Sequence, residues 1–455
     1  MRWIVVILLA SFIVCSSLQI EGGELVAGAR LIVVDPGHFH AALVQKEMYP
    51  WLARQVAVYA PLGPDVLDYL NRIAQFNARR ENPTSWEIEL HTGPDFFERM
   101  LRERPGNVVV LTGRNRPKIE RIRASVEAGL NVLADKPWII SPTHIPALEH
   151  VLNEAAEKGL VAYDIMTERY EITSILQREL VNDEAVFGRL ARGSETEPAI
   201  SARSIHHLMK TVAGTPLRRP AWFFDVNETG EGLADVGTHV VDLVQWTAFP
   251  EQELDYKTEV HVLSGKHWPT VISKADFGKV TGESDFPPTL QTRVKDGHLE
   301  YFCNNSVHYA VRGTHVSLDI LWNWEAPPGS GDSYEAAFRG SKSRIEVRQG
   351  LSQHYIPEVY VVPNSAASQA EVFAALMKKM ADLQKTYPGV ALQEDGDEAH
   401  IVIPDRYRVG HEAHFAQVTN RFFDYLKTPR TLPAWEKPNM LVKYFITTKG
   451  VELSR

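Results

Sequence analysis

Cysteine is nearly absent: the 455-residue chain has only Cys15 and Cys303. Cys15 lies in the opening apolar segment, so a chain shortened behind that segment keeps one thiol and forms no internal disulfide. Stability must then come from packing, and 44% hydrophobic residues suffice for two or three domains with real cores. Long Lys/Arg runs are also missing, and the formal charge is −9. That balance excludes nucleic acid or an anionic membrane as the main partner and favours a neutral or polar small molecule. There is no repeat and no low-complexity tract, which excludes solenoid and fibrous architectures.

Long apolar runs are absent beyond the first segment, so no integral membrane span is expected in the mature chain. Arg2 precedes the run Trp3 to Val14, and Cys15, Ser16 and Ser17 follow it. A basic start, an apolar run too short for an anchored span and small residues behind it read as a secretory signal over residues 1–20. The expected location is secreted or periplasmic. Cys15 stands either as an incidental member of the run or as a lipid attachment point.

From residue 31 onward, short apolar runs alternate with helical patterns. "LIVVD" (31–35), "QVAVYA" (55–60), "NVVVLT" (107–112), "NVLAD" (131–135) and "LVAYDI" (160–165) are bounded by Gly, Pro and Asn, and a helical period follows each of the first four. This is the signature of parallel βαβ units, a doubly wound Rossmann-like domain over residues 30–165. "NARRENPTSWEIELHTGPDF" reads as an unusually long connection, either functional or a surface insertion.

Beyond residue 166 the rhythm changes. Helices are predicted at 171–182 and from about Glu231, and "LEYFCNNSVHYAVRG" and "HVSLDILWNWEA" alternate as antiparallel strands do. An α+β domain with a mostly antiparallel open sheet is expected over residues 166–455. Residues 366–400 read as a helical stretch leading into a polar link. "HEAHFAQVTNRFFDYL" reads as a final amphipathic helix. Its His411 and His414 lack the spacing of the H-E-x-x-H zinc motif and are read as helix-face residues near an interface.

Three pieces in order, "EAGLNVLADKPWIIS" (127–141), "MTERY" (166–170) and "GLADVGTHVVDLVQW" (232–246), resemble the Gfo/Idh/MocA family of oxidoreductases over about residues 30–330. Asp135, Lys136 and Pro137 match the family's E-K-P tripeptide with Asp for Glu, and Asp235 and His239 match its D-x-x-x-H helix motif. The segments "IHHLMKTVAG", "RRPAWFFDV" and "HEAHF" resemble a secreted branch with a distinct C-terminal oxidoreductase domain. The resemblance implies a Rossmann domain joined to a domain whose open sheet carries the substrate site and often an oligomer contact. It also implies an NAD or NADP cofactor, with Lys136, Asp235 and His239 beside the nicotinamide and the reacting carbinol.

The residue chemistry can be read independently. Lys136 follows a buried parallel strand at the end where doubly wound folds hold ligands, and Pro137 restricts its backbone. A lysine there can stabilise a developing alkoxide; pairing with Asp135 is the structural alternative. Asp235 and His239, four apart on a predicted helix, share a face, and a histidine suits proton transfer near neutral pH. His206, His207, Lys210, Arg219, Trp222 and Asp225 mix charge with aromatic surface and form either a sugar-binding wall or an ordinary helix and turn.

The cofactor side departs from the G-x-G-x-x-G fingerprint. Its three glycine places hold Asp35, Gly37 and His40, with His38 between the last two. The second strand ends in Ala60 and Pro61 where an acidic residue would hold the ribose. The next strand end supplies Thr112, Arg114, Asn115, Arg116 and Lys118. The expected cofactor contacts are Asp35, Gly37, His38, His40, Thr112, Asn115, Asp135 and Lys136.

The leading expectation is a secreted sugar, glycoside or polyol oxidoreductase with a tightly held nicotinamide. Retention would also permit transient oxidation, elimination or addition, and return of the hydride. The alternative is a non-redox lyase or glycoside hydrolase on the same fold, assisted by a divalent metal or by acid/base chemistry at His38, His40 and His239. A non-catalytic sugar-binding protein is the third reading. A homo-oligomer is expected from the resemblance alone.

Overall fold

The computed structural model describes residues 28–212 and 215–455. The expected signal over residues 1–20 and Cys15 lie outside this range. Among the described residues no helix is long and apolar enough to cross a membrane.

The first unit alternates strand and helix: β1 (Leu31–Val34), α1 (His40–Val44), β2 (Gln55–Ala60), α2 (Pro64–Ala78), β3 (Glu87–Thr92) and α3 (Phe96–Glu103). It continues through β4 (Val108–Leu111), α4 (Lys118–Glu127), β5 (Asn131–Ala134), α5 (Ile145–Glu157) and β6 (Ala162–Asp164). All six strands are parallel, in the order β3-β2-β1-β4-β5-β6. The order reverses between β1 and β4, and the carboxyl ends beside that switch point open the crevice where such sheets hold ligands. Strands β1 and β4 are buried along their whole length, as expected of a sheet covered on both faces.

The expected long connection contains β3, so five predicted strands become six. Its "EIELHT" is largely exposed and lacks the apolar run that marks the others, because it forms the edge of the sheet and leans only on β2.

A 3-10 turn at Thr167–Tyr170 leads into α6 (Ile172–Val181), β7 (Ile200–Met209), the short pair β8 (Thr211–Val212) and β9 (Thr215–Pro216), α7 (Val226–Thr229) and α8 (Gly232–Ala248). Then come β10 (Val260–Ser273), α9 (Lys274–Thr281), β11 (Val294–Lys295), β12 (His298–Val311), β13 (Thr314–Glu325), β14 (Ser333–Arg339), β15 (Ser343–Gln349) and β16 (Glu358–Pro363). The chain closes with α10 (Ala366–Thr386), β17 (Ala391–Asp395), β18 (Glu398–Val402), α11 (His411–Lys427) and α12 (Glu436–Leu453). The expected polar link after α10 is in fact the β17–β18 hairpin.

The second sheet has the order β10-β12-β13-β7-β14-β15-β16-β18-β17 with β11 beside β12, and only the β13–β7 pairing is parallel. Its apolar face packs on α6, α8 and α10. The entry of α8 is pressed onto the sheet, for a Cβ at Gly232 would lie 2.0 Å from the Cys303 carbonyl oxygen. That close approach fixes where Asp235 and His239 begin.

The last two helices return to the first unit. Phe415, Val418, Phe422 and Phe423 of α11 join the core on one face of the parallel sheet, and Met440, Leu441 and Tyr444 of α12 join the core on the other. A buried ion network adds to this closure. Arg169 donates to Asp242 of α8 at 2.6 and 2.8 Å and to Glu436 of α12 at 2.8 Å. Lys443 pairs with Asp242 at 3.1 Å and with Asp164 at 3.0 Å, so α8, α12 and the end of β6 are held together by two buried cations shared among three carboxylates.

Candidate active site

Beyond the carboxyl end of β5, Lys136 meets the first turn of α8. Lys136 forms an ion pair with Asp235, and its ammonium also lies 3.3 Å from the Asp235 carbonyl oxygen. The Lys136–Pro137 peptide is cis. Burial works against ionisation of Asp235, but Lys136 outweighs it and holds the carboxyl at about 2. One turn on, His239 is half-buried, with an Nδ1 that has no hydrogen-bond partner among the described residues. Burial and the nearby Lys136 bring His239 down to about 4, so its imidazole is neutral near neutral pH and free to accept a proton.

Asp135 organises the other side. His38 Nδ1 lies 3.2 Å and His40 Nδ1 2.8 Å from the same oxygen, Asp135 Oδ2. Burial opposes the charge, yet the two imidazoles keep the Asp135 carboxyl well below the usual carboxylate range. Burial likewise pushes His40 well below its ordinary value. Lys118 donates to the Asp135 carbonyl at 2.9 Å and to the Asn115 side chain at 2.6 Å, and burial brings it down to about 8.

Helix α11 delivers residues that the sequence reading placed elsewhere. The His411 ring lies 5.5 Å from that of His40, with His411 also 3.6 Å from Glu168. Partial burial works against the charge of Glu168, but His411 and His239 draw its carboxyl down to about 2. His414 is 3.9 Å from Glu171, which burial and Glu168 together raise to about 7. Glu168 belongs to "MTERY", so a signal for it existed; His411 was read only as a helix-face residue near an interface, because the packing of α11 onto α1 is what brings it to His40.

The expected cofactor residues divide. Asp35 takes the first glycine's place in a left-handed conformation, with φ of 46°, and binds Arg121 at 2.7 Å. Thr112 Oγ1 lies 3.5 Å from the His38 carbonyl. Asn115, expected on a cofactor, spends its side chain on the Thr229 carbonyl at 2.7 Å, while its backbone donates to Glu228 at 2.9 Å. It is therefore a joint between the two units. Gly37 does leave room, but for an indole: a Cβ there would meet Trp222 at 3.1 Å.

The expected sugar wall also divides. His206 and His207 lie 3.1 and 3.2 Å from the two oxygens of Asp332, which Lys210 also binds; the sequence reading missed Asp332. Arg219 stacks 4.5 Å over Phe223 and 5.1 Å over Trp322. Trp222 departs from this group and donates to Asp65 at 3.0 Å, beneath Arg114 at 4.8 Å. Asp225 caps α7 through the Asn227 amide at 2.9 Å, so its carboxylate is used by the backbone.

A nicotinamide dinucleotide asks for two things of this crevice. For the ring, Lys136, Asp235 and the unpartnered His239 Nδ1 are suitable, since they offer a donor and an acceptor at a buried strand end. For the diphosphate the residues do not fit as they stand. Trp222 fills the space beside Gly37, and Arg114 and Arg121 are already paired with Asp65 and Asp35.

The family model described as "Putative oxidoreductase C terminal domain" matches residues 176–455, more than half of the chain. The chain belongs to this oxidoreductase family. A protein of Parabacteroides merdae ATCC 43184 whose crystal structure is described as that of a "putative oxidoreductase" is 46% identical over 94% of this chain and 98% of its own, with a TM-score of 0.92. More distant structures share the fold. The 3-ketoreductase KijD10 of Actinomadura kijaniata, in complex with NADP and TDP-benzene, is 14% identical over 91% of this chain and 95% of its own, with a TM-score of 0.52. GenD2 from gentamicin A biosynthesis, in complex with NAD, is 15% identical over 96% and 97%, with a TM-score of 0.53. No curated protein matches the chain. The Gfo/Idh/MocA-like architecture expected from the sequence is thus the fold of this oxidoreductase, with its parallel Rossmann-like sheet and mostly antiparallel second sheet.

Proposed function

We propose that this oxidoreductase acts on a secondary alcohol of a sugar, glycoside or polyol, with its proton chemistry at Lys136, Asp235 and His239. The observation that carries the reading is the Lys136–Asp235 ion pair one helical turn from the unpartnered Nδ1 of His239. Lys136 donates a hydrogen bond to the carbinol oxygen and lowers the energy of the developing alkoxide. His239, neutral near pH 7, accepts the hydroxyl proton, and Glu168 stabilises the imidazolium that results. Asp235 holds Lys136 charged and in place. His206, His207, Lys210 and Arg219 stand on the second-sheet side as hydroxyl-binding groups.

NAD(P), which the two distant neighbours hold in their complexes, would supply a hydride acceptor at the carbinol carbon; Lys136, Asp235 and His239 would stand beside its ring. Export of the chain and pairing of copies through the open second sheet belong to the same reading; exposed Trp268 and Val271 along β10 support the pairing, and light scattering tests it.

The test is nucleotide extraction from purified protein, followed by a panel of sugars and polyols assayed through the absorbance of reduced nicotinamide. Turnover should fall at least about a hundredfold in Lys136→Ala and His239→Ala. Full activity in both variants, or no nucleotide binding at any concentration, overturns the proposal.

A further inference from the structure

We infer that His38, His40 and Asp135 form a binding site for a divalent first-row cation with an open coordination position. One ligand atom from each of the three residues lies within 4.8 Å of the other two. A tetrahedral ion with bonds of about 2.0–2.2 Å separates its ligand atoms by roughly 3.3 Å. The Nδ1–Oδ2 distances of 3.2 and 2.8 Å therefore need only a few tenths of an ångström of expansion to admit one.

The local chain geometry explains why an i,i+2 pair converges. Phe39 is already helical, with φ −59° and ψ −17°, so the two histidines do not point to opposite sides as they would on a strand. Their ring centroids lie 4.0 Å apart.

A second observation independently points to a ligand. Asp135 is 3% exposed, and its other oxygen, Oδ1, is buried without a hydrogen-bond partner among the described residues. A buried carboxylate oxygen without a donor is costly, and a cation bound through both oxygens of Asp135 removes that cost.

Two imidazoles and one carboxylate are the donor set of zinc, iron, cobalt or manganese sites, and three protein ligands leave a position for water or substrate. Lys136, which is ion-paired with Asp235, directly follows the proposed ligand Asp135 in the chain. An oxygen of a polyol bound at the open position would thus enter the crevice that holds Lys136. This inference stands on His38, His40 and Asp135 alone and does not require a nicotinamide.

The test uses the full chain, stripped with a chelator and titrated with Co²⁺ or Zn²⁺ alone. The readouts are the Co²⁺ ligand-field spectrum and metal content after gel filtration. About one ion per chain is expected, with nitrogen-ligated low-coordinate bands. His38→Ala, at a partly exposed position, should weaken binding at least about a hundredfold while the far-ultraviolet circular dichroism is unchanged. Asp135→Asn should do the same. Glu154→Ala, in the separate group Glu127, His150 and Glu154, should leave it unchanged. Failure of the wild-type chain to retain either ion, or full retention by His38→Ala, overturns the inference. Nucleotide extraction reports on the proposed hydride chemistry separately, so either idea can fail alone.

Discussion

The Lys136–Asp235 pair permits a quantitative test that needs no substrate. The Asp235 carboxyl is held at about 2 against an ordinary 3.8, chiefly by Lys136 working against burial. That gap corresponds to a preference for the ionised state of about 2 kcal/mol. Because the folded value is depressed, this stability is fully present above the unfolded value of 3.8 and is lost as pH falls through about 2. The perturbation is a double-mutant cycle of Asp235→Asn, Lys136→Met and the two combined. Each single change should cost about 2–3 kcal/mol, since it leaves one buried charge short of its partner. The double change should cost less than their sum by about 2 kcal/mol. Urea unfolding near neutral pH supplies the midpoints and slopes. Repeating the cycle at about pH 3, midway through the window of loss, should roughly halve the coupling. Singles that add to the double within about 0.5 kcal/mol would refute the assignment of the depressed carboxyl to Lys136.

Three further outcomes follow from the same physics. Asp242→Ala removes the carboxylate shared by buried Arg169 and Lys443, and should cost about 3–5 kcal/mol in urea unfolding; a cost near zero would show that Glu436 and Asp164 suffice. Glu171 is raised to about 7 from 4.5, so its folded form holds a proton that the unfolded form releases, and stability falls as pH rises through that interval. Glu171→Gln should flatten the slope there and raise the melting temperature above neutral pH, and an unchanged slope would contradict it. Trp222→Ala clears the space beside Gly37 and should tighten NAD(H) binding by about tenfold or more in a fluorescence titration. Equal affinity in wild type and variant would mean that the indole does not obstruct the diphosphate.

What the sequence made legible was what local pattern determines. Buried strands such as "VVVL" are apolar because both sheet faces are covered, and Lys136 could be placed at a strand end before any contact was known. Asp235 and His239 share a face because four residues make about one helical turn. What stayed hidden depends on distant packing. β3 has the mixed pattern of an edge strand, and only its pairing with β2 identifies it. His411 reaches His40 across most of the chain because the apolar face of α11 docks on α1, and periodicity reveals the face but not its partner. Asn115 has the right type for a ligand and the right address, yet the Thr229 carbonyl takes its amide.

The altered fingerprint is best understood as three coupled replacements. Asp35 occupies the turn that the first glycine would make and is held there by Arg121, a cation thereby withdrawn from any phosphate. Gly37 keeps the absence of a side chain that the second glycine provides, but Trp222 uses the space. His40 fills the third place, where glycine would allow close helix packing, and turns its ring to Asp135, the residue standing for the family's glutamate. Restoring glycine at position 40 alone would strip a buried carboxylate of its nearest donor while leaving Trp222 and Arg121 where they are. A full return to dinucleotide geometry therefore requires changes on β1, α4 and the second unit together, and restoring glycine at position 35 or 40 alone should lower stability before it improves cofactor binding, whereas the Trp222 obstruction can be cleared by itself.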